Sequence, residues 1–166
     1  MVLADLVLPN PSRNHSTIAQ QPVHAKDSRD PVYKPVNLEK LKKTAPAFTV
    51  VFTEDKNGFY INGSKFTPDA PAMTSARVGT YEHWRIVNST AELHPFHIHQ
   101  VHFLAYAENG VALRDPALLD TVNVPHGGTV DVILDFTDPI IKGMSLFHCH
   151  LLNHEDKGLM AKILFK

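Results

Sequence analysis

The chain has 166 residues, and its hydrophobic fraction of 43% and charged fraction of 20% are ordinary for one globular domain with a real core. Sixteen basic and seventeen acidic residues give a formal net charge of −1, which argues against a protein that binds nucleic acid by neutralising phosphates. No apolar run approaches the ~20 residues that span a bilayer, and the single cysteine excludes an internal disulfide. We therefore expect no nucleic-acid partner and no membrane partner.

Residues 1–46 are predicted to form an extended arm or interdomain linker. Six of the twelve prolines lie there, among many Asn, Ser, Lys and Gln residues. The only helix expected in this stretch is a short one near Leu38–Lys43. The first residues, MVLADLVLPNPSRNHS, lack a basic segment followed by a long apolar one, so we expect no secretory signal in them.

Residues 47–166 are predicted to form one domain of short strands. Phe48, Val50 and Phe52 share one face of a strand by the period of two, and Asn62-Gly63 is a tight-turn dipeptide. About eight short strands without a long helix indicate an all-β Greek-key sandwich or barrel. The later strands are expected at Trp84–Asn88, Phe96–Tyr106, Thr121–Val124, Val130–Phe136, Met144–His148 and Met160–Phe165.

The first histidine segment is HPFHIH, residues 94–99. On a strand, His97 and His99 project to one face, whereas Phe96 and Ile98 project to the other and can enter the core. His94 precedes a proline, which favours an extended or turn geometry, so its side chain can aim elsewhere. Two imidazoles on one face suit one metal ion or two adjacent ions.

The second segment is HCHLLNHEDKGLM, residues 148–160. His148 and His150 share one face of a strand and Cys149 points to the opposite face, while a four-residue loop allows His154 to fold back toward Cys149. With His94, these make a set of two imidazoles and one thiolate, which selects copper in an electron-transfer site. Zinc is the alternative ion for such donors. Ions on both faces of one strand would be joined by only a few covalent bonds.

The remaining histidines are expected to be structural rather than metal ligands. His102 is placed on the strand face opposite His97 and His99. The others are His15, His24, His83 and His126.

The two segments resemble the multicopper oxidases, the family of laccases, bilirubin oxidase and bacterial cuprous oxidases. The resemblance covers about residues 47–166, as the third, C-terminal cupredoxin domain of a three-domain enzyme. It extends to an ING strand (Gly58–Phe66), a strand of the form G…W.I.N (Gly79–Asn88) and a DTV.V.PGGTV-like segment (Asp120–Val130). It implies an all-β, cupredoxin-like Greek-key sandwich or barrel with an extended N-terminal arm.

The resemblance also implies roles for the histidines and the cysteine. A type 1 copper would take electrons from a phenol, an aromatic amine or a metal ion, and a trinuclear cluster of type 2 and type 3 coppers would reduce dioxygen to water. His94, Cys149 and His154 would bind type 1 copper, His97 type 2 copper, and His99, His148 and His150 the type 3 pair. Cys149 and His154 would thus act in catalysis.

The axial position of the type 1 site departs from the usual pattern. The family's axial residue falls ten positions after the cysteine, at Leu159, and Met160 follows one position late. We expect Leu159 to leave the copper three-coordinate with a raised potential, because removing an axial thioether favours the reduced ion. Met160 as a ligand through a local bulge is the alternative.

The trinuclear cluster of the family needs four HxH pairs, and this chain has two. Three interpretations remain open. The chain is a piece of a larger oxidase that lacks its other domains, or it pairs with a second copy in a homodimer that supplies eight histidines. Otherwise it is a single-domain copper protein for electron transfer, storage or delivery.

Residues beside the predicted site suggest where substrate meets it. Glu155 and Asp156 follow His154 directly and would accept a phenolic proton or attract a metal cation, or else form a solvated turn. Asp120 would lie near the cluster, with a structural hydrogen-bonding role as the alternative. By the resemblance alone, the protein is expected to be periplasmic or secreted.

Overall fold

The structure, a computed structural model, describes residues 37–166. None of the helices in that range is long and apolar enough to cross a membrane. The helices are α1 (Leu38–Leu41), α2 (Leu152–Asp156) and a single 3-10 turn at Pro139–Ile141, and the strands are β1 (Phe48–Asp55), β2 (Gly58–Ile61), β3 (Thr74–Ala76), β4 (Thr80–Asn88), β5 (His94–Ile98), β6 (Phe103–Glu108), β7 (Val111–Leu119), β8 (Thr121–Val124), β9 (Thr129–Phe136), β10 (Gly143–Cys149) and β11 (Met160–Phe165).

The strands form two sheets that share one hydrophobic core. The six-stranded sheet has the order β2-β1-β4-β9-β6-β7 and the five-stranded sheet the order β3-β11-β10-β5-β8. Most neighbours are antiparallel, but β1 runs parallel to β4 and β3 parallel to β11. The predicted all-β, cupredoxin-like sandwich is therefore confirmed.

Aromatic side chains join the two sheets. Trp84 of β4 is fully buried, and the centroid of its ring lies 5.8 Å from that of Phe147 on β10. Phe96 of β5 lies 6.3 Å from the same phenylalanine, also by ring centroids. Burial of such large apolar side chains is the main favourable term in folding. It fixes β5 and β10, which carry the histidine segments, against the rest of the core.

The turn predicted at Asn62-Gly63 is present. Both residues have positive φ angles, 50° and 74°, as a two-residue turn of this sequence requires. The Asn62 side chain binds back to β1, accepting from Val51 N–H and donating to the Thr49 carbonyl. These bonds hold β2 against β1 and so set the position of Phe59.

The strand predicted over Phe96–Tyr106 is wrong as a single element. β5 ends at Ile98 in the five-stranded sheet, and β6 begins at Phe103 in the other sheet. Gln100, with a φ of 71°, lies in the turn between them. His102 is therefore an exposed loop residue and does not share a strand with His97 and His99.

Most of the predicted arm, including His15 and His24, falls within residues 1–36 and lies outside the described part of the chain. The short helix expected near Leu38–Lys43 is present as α1, with the Asn37 side chain accepting from the Lys40 N–H. The residues after it are tied to the six-stranded sheet, since Ala47 N–H donates to the His83 carbonyl at 2.7 Å.

Candidate metal centre

The pairing of β5 with β10 brings the two histidine segments together. The strands are antiparallel, with His148 opposite His97 and Cys149 opposite Phe96. His150 continues this pairing beyond β10, where its N–H donates to the Pro95 carbonyl at 2.8 Å. Alternation along the two strands then separates the candidate ligands into two groups on opposite faces of the sheet.

The first group, here called the cysteine site, consists of His94, Cys149 and His154. The exposed fractions of these residues are 0%, 0% and 6%. Cys149 Sγ lies 3.3 Å from His94 Nδ1 and 3.9 Å from His154 Nδ1, and the two Nδ1 atoms are 3.1 Å apart. The helix α2 brings His154 into the cysteine site, because it turns the chain back after β10 so that His154 faces that strand.

These distances fit a bound metal ion. An ion about 2.0–2.1 Å from imidazole nitrogen and 2.3 Å from thiolate sulfur needs donors roughly 3–4 Å apart. All three donor pairs satisfy that condition. The donor set also fits, because two imidazoles with one thiolate are characteristic of electron-transfer copper sites.

Burial sets the protonation of the cysteine site. The pKa of His94 is lowered mainly by desolvation and, to a smaller extent, by the charge of the neighbouring His154. Burial raises the pKa of the Cys149 thiol to about 11. At neutral pH the metal-free site therefore holds a neutral His94 and a protonated thiol, and a metal ion must displace the thiol proton when it binds.

Aromatic and acidic neighbours hold His154. The Phe59 ring of β2 stacks on its imidazole, with centroids 4.1 Å apart and planes inclined by 24°. The outer nitrogen of His154, Nε2, lies 3.6 Å from a carboxylate oxygen of Glu92, whose side chain is 55% exposed. This imidazole therefore connects the buried sulfur to the surface.

The second group, here called the histidine face, consists of His97, His99, His148 and His150. Nε2 of His99 and Nε2 of His148 are 3.0 Å apart, and one ring nitrogen each of His97, His99 and His148 lies within a 4.8 Å span. The His150 ring centroid lies 5.1 Å from that of His97 and 5.7 Å from that of His148. His99 and His150 are exposed, so the face is open to solvent on one side.

Hydrogen bonds decide which nitrogens this face presents. His97 Nδ1 lies 2.8 Å from the Asp120 carbonyl, and His148 Nδ1 lies 2.9 Å from the Cys149 carbonyl. A carbonyl only accepts, so both Nδ1 atoms carry protons and both Nε2 atoms present lone pairs. Burial is the main cause of the lowered pKa of His97 and of His99, with His148 contributing to both. The neutral imidazoles of His97 and His99 are therefore ready to bind metal.

Leu159 and Met160 occupy different environments. Leu159 is fully buried in the core beside Cys149, and its carbonyl accepts from the Cys149 N–H at 3.0 Å. Met160 opens β11, whose buried positions are Ala161, Ile163 and Phe165. It lines a surface groove together with Phe66 and Met73. Alternation thus directs Met160 away from the core in which Cys149 lies.

The acids predicted beside His154 are separated by the fold. A Glu155 carboxylate oxygen lies 3.3 Å from His148 Nδ1, on the histidine face, and Asp156 is exposed at the end of α2. The carboxylate at His154 belongs instead to Glu92, which sequence analysis missed. Its position two residues before His94 was the available signal. Asp120 contributes through its backbone carbonyl, which accepts from His97.

Two histidines outside both groups make contacts within the protein. His83 is 3% exposed, and its ring bonds to the Thr44 carbonyl and the Tyr106 hydroxyl. His126 Nδ1 donates to the Thr90 carbonyl at 3.2 Å. Neither belongs to a group of candidate metal ligands within residues 37–166.

Comparison with known proteins identifies the family. A multicopper oxidase family model matches residues 33–166. The chain is 32% identical to a multicopper oxidase of Staphylococcus aureus over 109 residues, which are 62% of its length. Over 116 residues, or 65% of the chain, it is 34% identical to a laccase of Haloferax volcanii. The multicopper oxidase McoA of Aquifex aeolicus superposes on 81% of the chain with a TM-score of 0.68 and 25% identity.

The fold and these matches define a copper oxidoreductase class. The chain belongs to the multicopper oxidase family. It spans only part of its relatives, matching 24% of the S. aureus protein, 20% of the H. volcanii laccase and 31% of the A. aeolicus structure.

Proposed function

We propose that this chain is the electron-accepting domain of a laccase-type oxidase, with a type 1 copper at the cysteine site and half of a trinuclear cluster on the histidine face. The observation that carries the proposal is the position of Cys149. Its buried sulfur faces His94 and His154, while its two sequence neighbours, His148 and His150, belong to the opposite face. One residue therefore links the two sites through its own backbone.

The proposed ligands follow from the donor atoms of each group. His94 and His154 offer Nδ1 and Cys149 its sulfur to type 1 copper. His97 is assigned to type 2 copper, and His99, His148 and His150 to the type 3 pair. Bound copper supplies a one-electron couple at the first site and dioxygen reduction at the second. Leu159, buried beside Cys149, would leave the copper without an axial ligand, and coordination by Met160 is the alternative.

The substrate side is proposed to lie at His154. Its imidazole is the member of the cysteine site that contacts an exposed carboxylate, Glu92. An electron leaving a phenol, an aromatic amine or a reduced metal ion enters through this ring, and Glu92 takes the phenolic proton or attracts the cation. Glu155, tied to His148, serves the histidine face instead. Four such electrons and four protons convert one dioxygen to two waters.

The histidine face needs a partner, since His99 and His150 face solvent. The partner is either the remaining domains of a longer oxidase or a second copy of this chain in an isologous dimer. A single-domain copper protein for electron transfer, storage or delivery is the alternative function, because the cysteine site is complete within one chain. By family resemblance, we propose that the protein works in the periplasm or outside the cell.

Two substitutions test the assignment of the two sites. The copper-loaded chain is expected to be intensely blue, and Cys149→Ser is expected to abolish the colour while copper binding by the histidine face persists. His97→Ala is expected to leave the colour intact and weaken copper binding on the face. Absorption spectra and copper content would check both variants. Colour lost in His97→Ala and kept in Cys149→Ser would show that the two sites are assigned the wrong way round.

A further inference from the structure

A buried hydroxyl lies behind His94, on the side of the imidazole that faces away from Cys149. His94 Nε2 lies 2.7 Å from the Oγ1 atom of Thr90, and the two residues are 0% and 5% exposed. A histidine must present a lone pair to a metal ion, so the position of its single proton matters. This contact decides on which ring nitrogen of His94 the proton sits.

Asn88, the last residue of β4, fixes the direction of the Thr90 hydroxyl. The Asn88 Nδ2 atom lies 2.7 Å from the Glu92 carbonyl and 3.0 Å from the Val124 carbonyl, which only accept. That atom is therefore the amide nitrogen, and Oδ1 is the acceptor. Oδ1 receives the Thr90 N–H at 3.0 Å and the Thr90 hydroxyl at 2.7 Å.

The tautomer of His94 follows by elimination. A hydroxyl has one proton, and Thr90 gives its proton to Asn88. The Glu92 carbonyl, 3.2 Å from Oγ1, is the other acceptor within reach. If the hydroxyl gave its proton to that carbonyl instead, it would likewise have no proton left for His94. Oγ1 can then only accept from His94, so Nε2 carries the imidazole proton. The Nδ1 lone pair faces the Cys149 sulfur at 3.3 Å.

We propose that Thr90, held by Asn88, is a positioning residue that fixes His94 as its Nε2–H tautomer and aims its Nδ1 lone pair into the cysteine site before a metal ion arrives. The inference rests on the proposed function, in which His94 binds copper. Hydrogen bonds to the outer nitrogen of a ligating histidine are typically worth about 10–100-fold in metal affinity. The end of β4 and the turn into β5 therefore preset the direction of this ligand.

The first test needs no metal. Nitrogen-15 NMR of the imidazoles in the copper-free chain reports the tautomer of each histidine. His94 is expected as Nε2–H in the wild type and in Thr90→Ser, and as a mixture of tautomers in Thr90→Val, which keeps the side-chain shape but removes the hydroxyl. An Nδ1–H tautomer of His94 in the wild type would overturn the proposal whatever the variants do. Because copper is absent, the result does not depend on the proposed function.

The second test measures copper(I) affinity by competition with a coloured chelator, together with the blue absorption band. Thr90→Val is expected to bind copper about 10–100-fold more weakly at the cysteine site, and Thr90→Ser to stay within about threefold of the wild type. Thr80→Val is the matched control, because it removes the same atoms at the far end of β4, where the hydroxyl donates to the Arg77 carbonyl.

The outcomes of the two tests are separable. Equal affinity of Thr90→Val and the wild type, or an equal loss in Thr80→Val, would overturn the proposal. If near-ultraviolet circular dichroism shows that Thr90→Val does not fold, the tautomers of the wild type and Thr90→Ser decide. If neither the wild type nor any variant binds copper, but His94 of the wild type is the Nε2–H tautomer, the positioning role stands and the proposed function fails.

Discussion

At the residue scale, the contrast between Leu159 and Met160 governs the expected redox behaviour. The two are adjacent in sequence, but Leu159 is fully buried beside Cys149 whereas Met160 lines the groove with Phe66 and Met73. A weak axial thioether stabilises the oxidised ion in sites of this type, so an apolar side chain there favours the reduced ion. For the copper proposed at the cysteine site, we therefore expect a high reduction potential.

Leu159→Met is expected to lower the reduction potential of the blue copper. Methionine nearly conserves the volume of leucine, so the core accommodates it at a cost below about 1.5 kcal/mol. A tenfold change in the relative binding of oxidised and reduced copper corresponds to about 59 mV for one electron, and we expect a decrease of at least this order. Spectroelectrochemical titration of the blue band measures it.

Met160→Leu is the control for this prediction, and its potential is expected to equal that of the wild type. A raised potential in Met160→Leu, with no effect of Leu159→Met, would show that Met160 is the axial ligand through a local bulge.

The sequence predicted which residues form the cysteine site because Cys149 and His154 lie close together in the chain and because the donor set of one thiolate and two imidazoles is chemically specific. Cys149 and His154 are only five positions apart in sequence, and alternation alone places His148 and His150 on the face opposite Cys149. Glu92 could not be predicted in the same way. Its carboxylate reaches His154 across a turn, and that contact depends on how β5 and α2 pack in three dimensions.

At the element scale, a partly buried polar network ties residues 42–44 to the six-stranded sheet. His83 Nδ1 donates to the Thr44 carbonyl at 2.9 Å, and the Tyr106 hydroxyl lies 3.3 Å from the Lys42 carbonyl and 3.0 Å from His83 Nε2. Burial and the nearby Asp131 raise the pKa of Tyr106 to about 12, so this hydroxyl remains a donor. The network gives His83 a structural role.

His83→Ala is expected to destabilise the domain and loosen the segment that contains α1. It removes a side chain that is only 3% exposed and that bonds to the Thr44 carbonyl and the Tyr106 hydroxyl, and each lost hydrogen bond costs about 0.5–1.5 kcal/mol. Thermal unfolding should shift to lower temperature, and trypsin should cleave faster after Lys40, Lys42 and Lys43. His102→Ala, at an exposed position, is the control and should match the wild type. Unchanged melting and cleavage in His83→Ala would contradict the anchoring role.

The sequence predicted strands better than their boundaries and partners. Alternation from Val130 to Phe136 is unambiguous, and β9 covers it. Between Phe96 and Tyr106 the apolar pattern continues through the turn at Gln100, so it did not reveal that the chain changes sheets there. Sheet order depends on pairing between strands that are distant in sequence, and local periodicity contains no information about that pairing.

At the scale of the whole molecule, one site is closed and the other is open. All three residues of the cysteine site are buried, whereas His99 and His150 of the histidine face are exposed. Exposed apolar side chains lie close in sequence to these ligands. They are Leu151 and Leu152, which follow His150, at 38% and 72% exposure. An exposed face of this kind fits a surface that another domain or chain covers.

The copper content per chain, measured with the mass of the copper-loaded particle, distinguishes the possible partners. A monomer is expected to hold about one firmly bound copper, at the cysteine site, and to bind copper only weakly on the histidine face. A self-complementary dimer would hold about 2.5 coppers per chain, from two type 1 ions and three shared ions. Native mass spectrometry with elemental analysis gives both numbers. A dimer whose copper content stays at one per chain would exclude a shared cluster.

The separation of the ligands along the chain has a consequence for how the protein reaches its native state. His94 and Cys149 are 55 positions apart, and His94 and His154 are 60 apart. The intervening chain contributes β6, β7 and β9 to the opposite sheet before β10 returns to pair with β5. Closing so long a loop is among the slow events of folding. For copper bound at the cysteine site, as proposed, we therefore expect the colour to be a late signal in refolding, one that reports the completed closure of the sandwich rather than the formation of its individual hairpins.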